Sequence, residues 1–409
     1  MTAIFFVHGA VFASWATRVP AVQTELRMSD GLLGLVLAGL GVGALAGSQA
    51  GGVLVRRLGS RAVSAMAPVV LSVPLGLVPT AHSAWTLMGL LVLLGAGDGC
   101  TSVAMNAQAV VVQRRYGRAV LNSMHAIRSV GAVTGGLAGV ATAALGLTLT
   151  TQFVVMAAAL AVVSAVAALG LGPDGKRAQQ AERSDRTEQT EQIQRIEQPG
   201  QPGQPDRTDV TGQGPNRRTV VSMLALMAFL AAWVEDAPAS WSGVYLRNVG
   251  ADAATAAAGY AAFSAGSVLA RLFNDRMVDR IGWDRLIRAG TLCCAAALTG
   301  ALLVGQPGLT LAALVVAGAG ISAVFPGAFT TAGGLPDGAL VMGHVGFAGN
   351  LGWLLISPVI GALATLVGLP TALGVLVVAA ATIAVLAPIT RSATPAGSDA
   401  QRTARQTNS

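Results

Sequence analysis

Long runs of apolar residues, separated by short polar stretches, extend from the first residues of this chain to about position 390. A membrane-spanning helix needs roughly 20 mainly apolar residues, whereas a strand of a membrane β-barrel shows an alternating pattern over roughly 10. These runs are long and do not alternate, so they predict helices. Twelve runs are long enough to span: 3–22, 31–55, 62–80, 85–112, 119–143, 148–171, 219–246, 253–278, 286–305, 309–332, 339–367 and 370–390.

One long polar stretch separates the first six runs from the last six. It is rich in Gln, Pro, Arg, Glu and Thr and has hardly any apolar residues, so it cannot bury enough surface to fold. The predicted fold class is an all-α membrane protein whose 12 transmembrane helices form two pseudo-symmetric six-helix bundles. The predicted parts are an N-terminal bundle at 1–171, a disordered cytoplasmic linker at 172–218, a C-terminal bundle at 219–390 and a cytoplasmic tail at 391–409.

An internal repeat relates the two halves. Ala13-Ser14-Trp15-Ala16 reappears 226 positions later as Ala239-Ser240-Trp241-Ser242, and the basic stretch 56–61 has its counterpart at 279–285. Many transporters are built from two such halves, with the substrate path between them.

The positions of the basic residues predict the orientation in the membrane. Only 11% of residues are charged, against about 25% in soluble proteins, and the arginines fall in short clusters between apolar runs. Such clusters mark cytoplasmic loops rather than a nucleic-acid surface. Both termini are therefore predicted to be cytoplasmic. The clusters are Arg56, Arg57 and Arg61; Arg114, Arg115 and Arg118; and Arg280 and Arg285.

Small residues recur at four-residue spacing on several spans. Such stripes let helix backbones approach closely in lipid. Static packing explains any one stripe, whereas their recurrence in both halves favours an interface between the halves that also slides. The stripes are Gly39, Gly43, Gly47 and Gly51; Gly131, Gly135 and Gly139; and Ala258, Ala262, Gly266 and Ala270.

Ionisable residues inside spans are candidates for function, because each costs at least about 3 kcal/mol at the bilayer centre unless it pairs or faces water. Glu235 and Asp236 are adjacent acids near the middle of the seventh span, just before a predicted break at Pro238. Burial disfavours the charged form of a carboxyl, and adjacent acids are difficult to ionise together. One of them is thus predicted to carry the coupling proton. The alternative is that the helix ends earlier and leaves both acids in water.

A polar face on the fourth span predicts a cavity wall. Asp98, Ser102 and Asn106 repeat every four residues, and a single polar face on a span points away from lipid. Asp98 joins the two acids as a proton-coupling candidate, and Ser102 and Asn106 are substrate-binding candidates. On the fifth span, His125 is a substrate-binding candidate, and Arg128 forms either an ion pair with Asp98 or a clamp for an anionic substrate.

Other side chains leave two interpretations open. Trp15 and Trp241 either stack on a ligand or belong to an interfacial belt. Asn350 is a cavity candidate, whereas His8 and His344 are interpreted as packing residues on apolar stretches.

The sequence argues against ATP-driven transport and against an enzyme. No phosphate-binding Gly-Lys-Ser/Thr loop is present, and no His/Cys/acid cluster has the spacing of a metal site or catalytic triad. The sequence predicts neither an enzyme, a cofactor nor a metal.

The segment 52–61 resembles the cytoplasmic loop signature Gly-x-Leu-x-Asp-Arg-x-Gly-Arg of the major facilitator superfamily of secondary transporters. Arg56 stands where the signature has aspartate. In this family the loop holds the two halves together on the cytoplasmic side, so the resemblance implies gate residues here and in the second half. They are Gly52, Arg57, Gly59 and Arg61, and Asp279, Arg280 and Gly282.

Three further motifs are similar to the fucose-permease-related branch of bacterial inner-membrane proteins. They are Trp15-Ala16-x-Arg18-x-Pro20, Val103-Ala104-Met105-Asn106-x-Gln108 and Ser123-x-His125-Ala126-x-x-Ser129-x-Gly131. The chain departs from the branch at Ser102, where an acid is expected, and at Arg128, where related chains are uncharged or aromatic.

The residues and the resemblance together predict a monomeric secondary transporter of the bacterial inner membrane that moves a small solute by alternating access. The favoured interpretation is proton-coupled uptake of a sugar-like or organic-acid-like solute. Two alternatives stay open: a proton-driven exporter of drugs or metabolites, and a non-transporting membrane sensor or scaffold.

Overall fold

The computed structural model describes residues 1–116, 121–171, 217–335 and 337–391, which form α-helices joined by short turns. Short 3₁₀ helices, Val78–Thr80 and Ala387–Arg391, follow the fourth and the last α-helix. The α-helices are α1 (Thr2–Ala16), α2 (Val19–Glu25), α3 (Asp30–Leu58), α4 (Ser60–Leu77), α5 (Ala84–Tyr116), α6 (Leu121–Ala144), α7 (Leu149–Leu169), α8 (Arg217–Asn248), α9 (Ala253–Ile281), α10 (Trp283–Val304), α11 (Pro307–Ile321), α12 (Val324–Gly333), α13 (Gly338–Val367) and α14 (Leu369–Leu386).

These helices account for the twelve predicted spans. Eleven stretches of the described chain are long and apolar enough to cross a membrane, with α11 and α12 together forming one of them. The remaining span consists of the shorter apolar helix α1 followed by α2. The all-α fold is confirmed. Residues 172–216 of the predicted linker and 392–409 of the predicted tail lie outside the described residues.

The turn after the first span has the same construction in both halves. Arg27 and Gly250, which are 223 positions apart, both adopt a left-handed backbone with φ of 50° and 88°. Two residues later, Ser29 and Asp252 cap the next helix, each with a side-chain oxygen that accepts a backbone N–H. Side-chain acceptors at this position satisfy the free amides of a helix start. The repeat therefore extends from sequence to turn geometry.

The two halves differ in the length of the segment between the repeated tryptophan and the following turn. Twelve positions separate Trp15 from Arg27, but only nine separate Trp241 from Gly250. The three additional residues coincide with the break between α1 and α2, whereas α8 is continuous. The predicted break at Pro238 is wrong, since α8 continues through it. Both acids before this proline therefore lie inside a helix.

The glycine stripes pack helices within each half. A Cβ on Gly43 would collide with the carbonyl oxygen of Val92 on α5, and one on Gly131 with that of Phe6 on α1. Gly266 of α9 makes the same kind of approach to α11 in the second half. The predicted sliding interface is thus wrong for these stripes, and static packing is correct. Bare helix faces here allow backbones to touch.

Different faces join the two halves. The halves meet through α3 with α13 and through α6 with α9. A Cβ on Gly34 would lie 2.8 Å from Cα of Gly361, and one on Gly243 would lie 2.7 Å from Cγ of Pro20. These four residues lie towards the turns that follow α2, α8 and α13. We call this the closed end, and the opposite end, with the turns after α3 and α9, the arginine-rich end.

Candidate functional site

A cavity of about 140 Å³ lies between the two halves. Its walls come from α1, α3, α4 and α5 of the first half and from α8 and α13 of the second. Its acidic lining residues are Asp98 and Asp236, one from each half. Two of the three predicted proton-coupling residues therefore face one space.

Asp98 forms its ion pair with His8 of α1. His8 Nε2 lies 3.0 Å from Asp98 Oδ1, and the His8 side chain is 8% exposed. The interpretation of His8 as a packing residue is therefore wrong. An imidazole at this distance from a carboxylate forms a hydrogen bond in its neutral form and an ion pair in its protonated form. Of the two alternatives for Arg128, the ion pair with Asp98 is not formed, because the two side chains make no N···O contact within 4.0 Å in the part of the chain that the structure describes.

Glu235 of α8 faces α9, where Arg271 lies. The distance from Arg271 Nη2 to Glu235 Oε1 is 3.6 Å, and the two side chains are 44% and 19% exposed. This exceeds the usual N–H···O range of about 2.7–3.2 Å, and Glu235 Oε1 is buried without a hydrogen-bond donor. The pair is close but loose.

Asn106 and His125 come together where α5 meets α6. His125 Nε2 lies 3.2 Å from Asn106 Oδ1, and Asn106 Nδ2 donates to the carbonyl of Ser102 at 2.8 Å. The ring of Phe5 packs edge-on against His125. The structure thus brings these three predicted substrate-binding residues into one polar cluster of the first half.

Arg128 connects this cluster to the rest of the site through its charge. It interacts electrostatically with Asp98 and His125 of its own half and with Glu235 and Tyr260 of the other. Its charge therefore acts on side chains of both halves.

Three further candidates belong neither to the cavity wall nor to the polar cluster. Trp15 is 2% exposed and stacks on Phe153 of its own half. Trp241 is fully buried and borders a separate apolar cavity inside the second half. Asn350 is exposed on α13. The burial of both tryptophans argues against an interfacial belt, and neither of them borders the cavity between the halves, where a ligand would stack on them.

The predicted gate residues lie at the arginine-rich end. Gly59 and Gly282 have φ of 86° and 84°, and each N–H donates to the carbonyl four residues earlier. Equivalent glycines therefore end α3 and α9 in the left-handed geometry that glycine adopts readily. Gly52 and Arg57 lie in α3, Arg61 in α4, and Asp279 and Arg280 in the last turn of α9.

Two site residues were missed in the sequence. Arg271 lies in the eighth predicted span, where an arginine is itself a signal. Tyr260 packs edge-on against Phe12 across the two halves, with ring centroids 6.0 Å apart. An aromatic residue in a span carries no comparable signal, because packing explains it equally well.

The family model of the Major Facilitator Superfamily matches residues 1–338 and 224–409. An uncharacterised MFS-type transporter of Yersinia pestis is 28% identical over 389 residues, which cover 93% of this chain and 92% of the relative. This likeness extends over nearly the whole of both proteins.

Two solved structures share the fold. The nucleoside transporter NupG has a TM-score of 0.68 at 15% identity, covering 96% of this chain and 97% of its own. The D-xylose-proton symporter has a TM-score of 0.71 at 14% identity, covering 96% and 97%. At these identities the likeness shows the fold alone. The family model spans both halves, so the chain belongs to the major facilitator superfamily and is a secondary transporter rather than an enzyme.

Proposed function

We propose that this protein takes up a small sugar-like or organic-acid-like solute together with protons, by alternating access, and that Glu235, Asp236 and Asp98 carry the protons. The observation that supports this is the cavity between the halves, which Asp98 of the first half and Asp236 of the second both line. A carboxyl group on each side of one cavity links protonation to the relative position of the halves.

The surroundings of the three acids suit an exchange of protons. Glu235 has only a loose contact with Arg271, and Asp236 is its direct neighbour in the chain. Two adjacent carboxylates in a poorly solvated site repel each other, and a proton on either one removes the repulsion. Asp98 differs, because it has a close partner: His8 Nε2 lies 3.0 Å from Asp98 Oδ1. We assign the coupling proton to the pair on α8 and a supporting role to Asp98.

The same proposal places the protein in the bacterial inner membrane as a monomer with both termini in the cytoplasm. The arginines near the turns after α3 and α9 support this orientation, since basic loops stay on the cytoplasmic side. The structure then corresponds to a state that is closed towards the outside, because the close contacts between the halves lie at the other end.

The test uses the full chain reconstituted into proteoliposomes. Solutes that raise the unfolding temperature of the purified protein are selected from sugars, organic acids and amphiphilic drugs. Adding such a solute should produce a pH change in wild-type vesicles. We expect Glu235→Gln and Asp236→Asn to reduce that change at least about tenfold, because an amide cannot take up a proton.

The matched control is Asp275→Asn, which removes an exposed carboxylate of α9 and should leave coupling unchanged. Normal coupled flux in both α8 variants would disprove the proton site. Flux that an outward-directed solute gradient drives, with opposite proton movement, would indicate an exporter. No flux of any solute would favour a sensor.

A further inference from the structure

Arg128 and Arg271 approach the site from opposite halves at comparable depth. Arg128 lies seven residues after the start of α6 and Arg271 ten residues before the end of α9, and both helix ends belong to the arginine-rich end. At 1.5 Å per residue these positions lie about 10 and 15 Å inside. The two helices also contact each other across the halves, where Gly136 faces Ala261.

The charges of the two arginines converge. Both act electrostatically on His125 of the first half and on Glu235 of the second. Because α6 and α9 contact each other and both charges act on the same imidazole and the same carboxylate, the two guanidinium groups are expected to face a common space. Glu235 is the chain neighbour of Asp236, which lines the cavity together with Asp98.

Both guanidinium groups have N–H donors that are available to a ligand. Within the described ranges, no carboxylate lies within 4.0 Å of Arg128. The contact of Arg271 with Glu235 is 3.6 Å long, and the Arg271 side chain is 44% exposed. A guanidinium presents five N–H donors in a plane and suits an oxyanion better than any other side chain.

The other charged groups that face this space do not exclude an anion. Asp98 is in contact with His8, whose Nε2 lies 3.0 Å from Asp98 Oδ1, while His125 and Tyr260 carry no negative charge in their neutral forms. Glu235 and Asp236 of α8 are the groups that repel an anion, and a proton on this pair lowers the repulsion. Binding of an anion and binding of a proton therefore favour each other.

We propose that the transported solute is a small organic anion whose carboxylate or phosphate group is held between Arg128 and Arg271. This inference rests on the proposed function, since it names the substrate class of the same site. When the anion occupies Arg271, Glu235 loses its partner, and the proton that neutralises the α8 pair travels with the anion.

The experiment measures thermal unfolding of the purified full-length protein with matched solutes at pH 6. The pairs are galacturonate and galactose, glucuronate and glucose, and glycerol 3-phosphate and glycerol. We expect at least one anion to stabilise the wild-type protein and its neutral partner to have no effect. Arg128→Gln and Arg271→Gln should each weaken apparent binding at least about tenfold, because each removes a charge-assisted contact.

Arg276→Gln is the matched control, an exposed arginine on the same helix as Arg271. Arg128→Lys and Arg271→Lys keep the charge without the planar fork and should bind with intermediate strength. If a glutamine variant folds poorly, the lysine variant at the same position replaces it in the binding measurement. The unfolding temperature without solute identifies such a variant.

Several outcomes would overturn the inference. They are stabilisation by the neutral partners alone, anion binding that survives both glutamine variants, or no stabilisation by any anion of the panel. The proposed function fails separately. If neutral sugars drive a pH change that Glu235→Gln abolishes, proton coupling is supported and the anion site is disproved. If anions bind through both arginines without any pH change, proton coupling is disproved.

Discussion

Gly95→Leu should leave little folded protein in the membrane, whereas Gly89→Leu on the same helix should fold normally. A Cβ at position 95 would collide with the carbonyl oxygen of Leu40 on α3 and lie 2.9 Å from the backbone nitrogen of Ala44. A Cβ at position 89 meets nothing within 4 Å. Backbone cannot yield as a flexible side chain does, so overpacking here is expected to cost about 3 kcal/mol or more.

The measurement is the yield of monodisperse protein after detergent extraction, together with its unfolding temperature. Gly95→Ala should unfold at a lower temperature than wild type, and Gly89→Ala should unfold at the wild-type temperature. Equal yields of both leucine variants would show that α3 and α5 do not approach as closely as described.

Gly34→Leu should shift the protein away from the state that is closed at the turn after the first span. Gly34 packs on Gly361 of the opposite half, where a Cβ would lie 2.8 Å from the partner Cα. A leucine here acts as a wedge between the halves, and a penalty of about 1.4 kcal/mol against one state changes its population ratio tenfold. We expect transport to fall about tenfold or more.

Thiol labelling reports this shift directly. An Ala21→Cys probe at the closed end, in a chain whose Cys100, Cys293 and Cys294 are replaced by serine, should react faster with a membrane-impermeant maleimide when Gly34→Leu is present. The control is Leu35→Phe, because Leu35 is 44% exposed on the same helix. Unchanged labelling in the Gly34 variant would argue against contact of the halves at this point.

Much of the fold could be predicted from the sequence, because a bilayer imposes one length and one secondary structure on each apolar run. The predicted span 253–278 corresponds to the helix Ala253–Ile281, and the predicted span 31–55 corresponds to the helix Asp30–Leu58. The break between α1 and α2 has one signal in the sequence, Pro20, which lies in the first turn of α2. A proline suits a helix start, but inside a span it can also kink a helix that continues, so the break was not predicted.

The site was predictable in its residue types more than in its pairings. Asp98, Glu235 and Asp236 stand out because charge inside a span is expensive. Their partners depend on helix rotation and crossing, which hydropathy does not encode. For this reason the sequence alone does not identify His8 as the partner of Asp98. Arg271 carries the signal of an arginine in a span, but the sequence analysis does not name it as a site residue. The glycine stripes were assigned to the wrong interface for the same reason, since a bare helix face does not identify its neighbour.

These stripes determine where the molecule is stiff. Along the contacts of α3 with α5 and of α1 with α6, backbone lies directly on backbone, so sliding one helix past the other would force main-chain atoms through each other. Each half is thus expected to move as a solid block. We expect the movement that exposes the cavity first to one side and then to the other to open and close the contacts of α6 with α9 and of α3 with α13, where the two blocks meet.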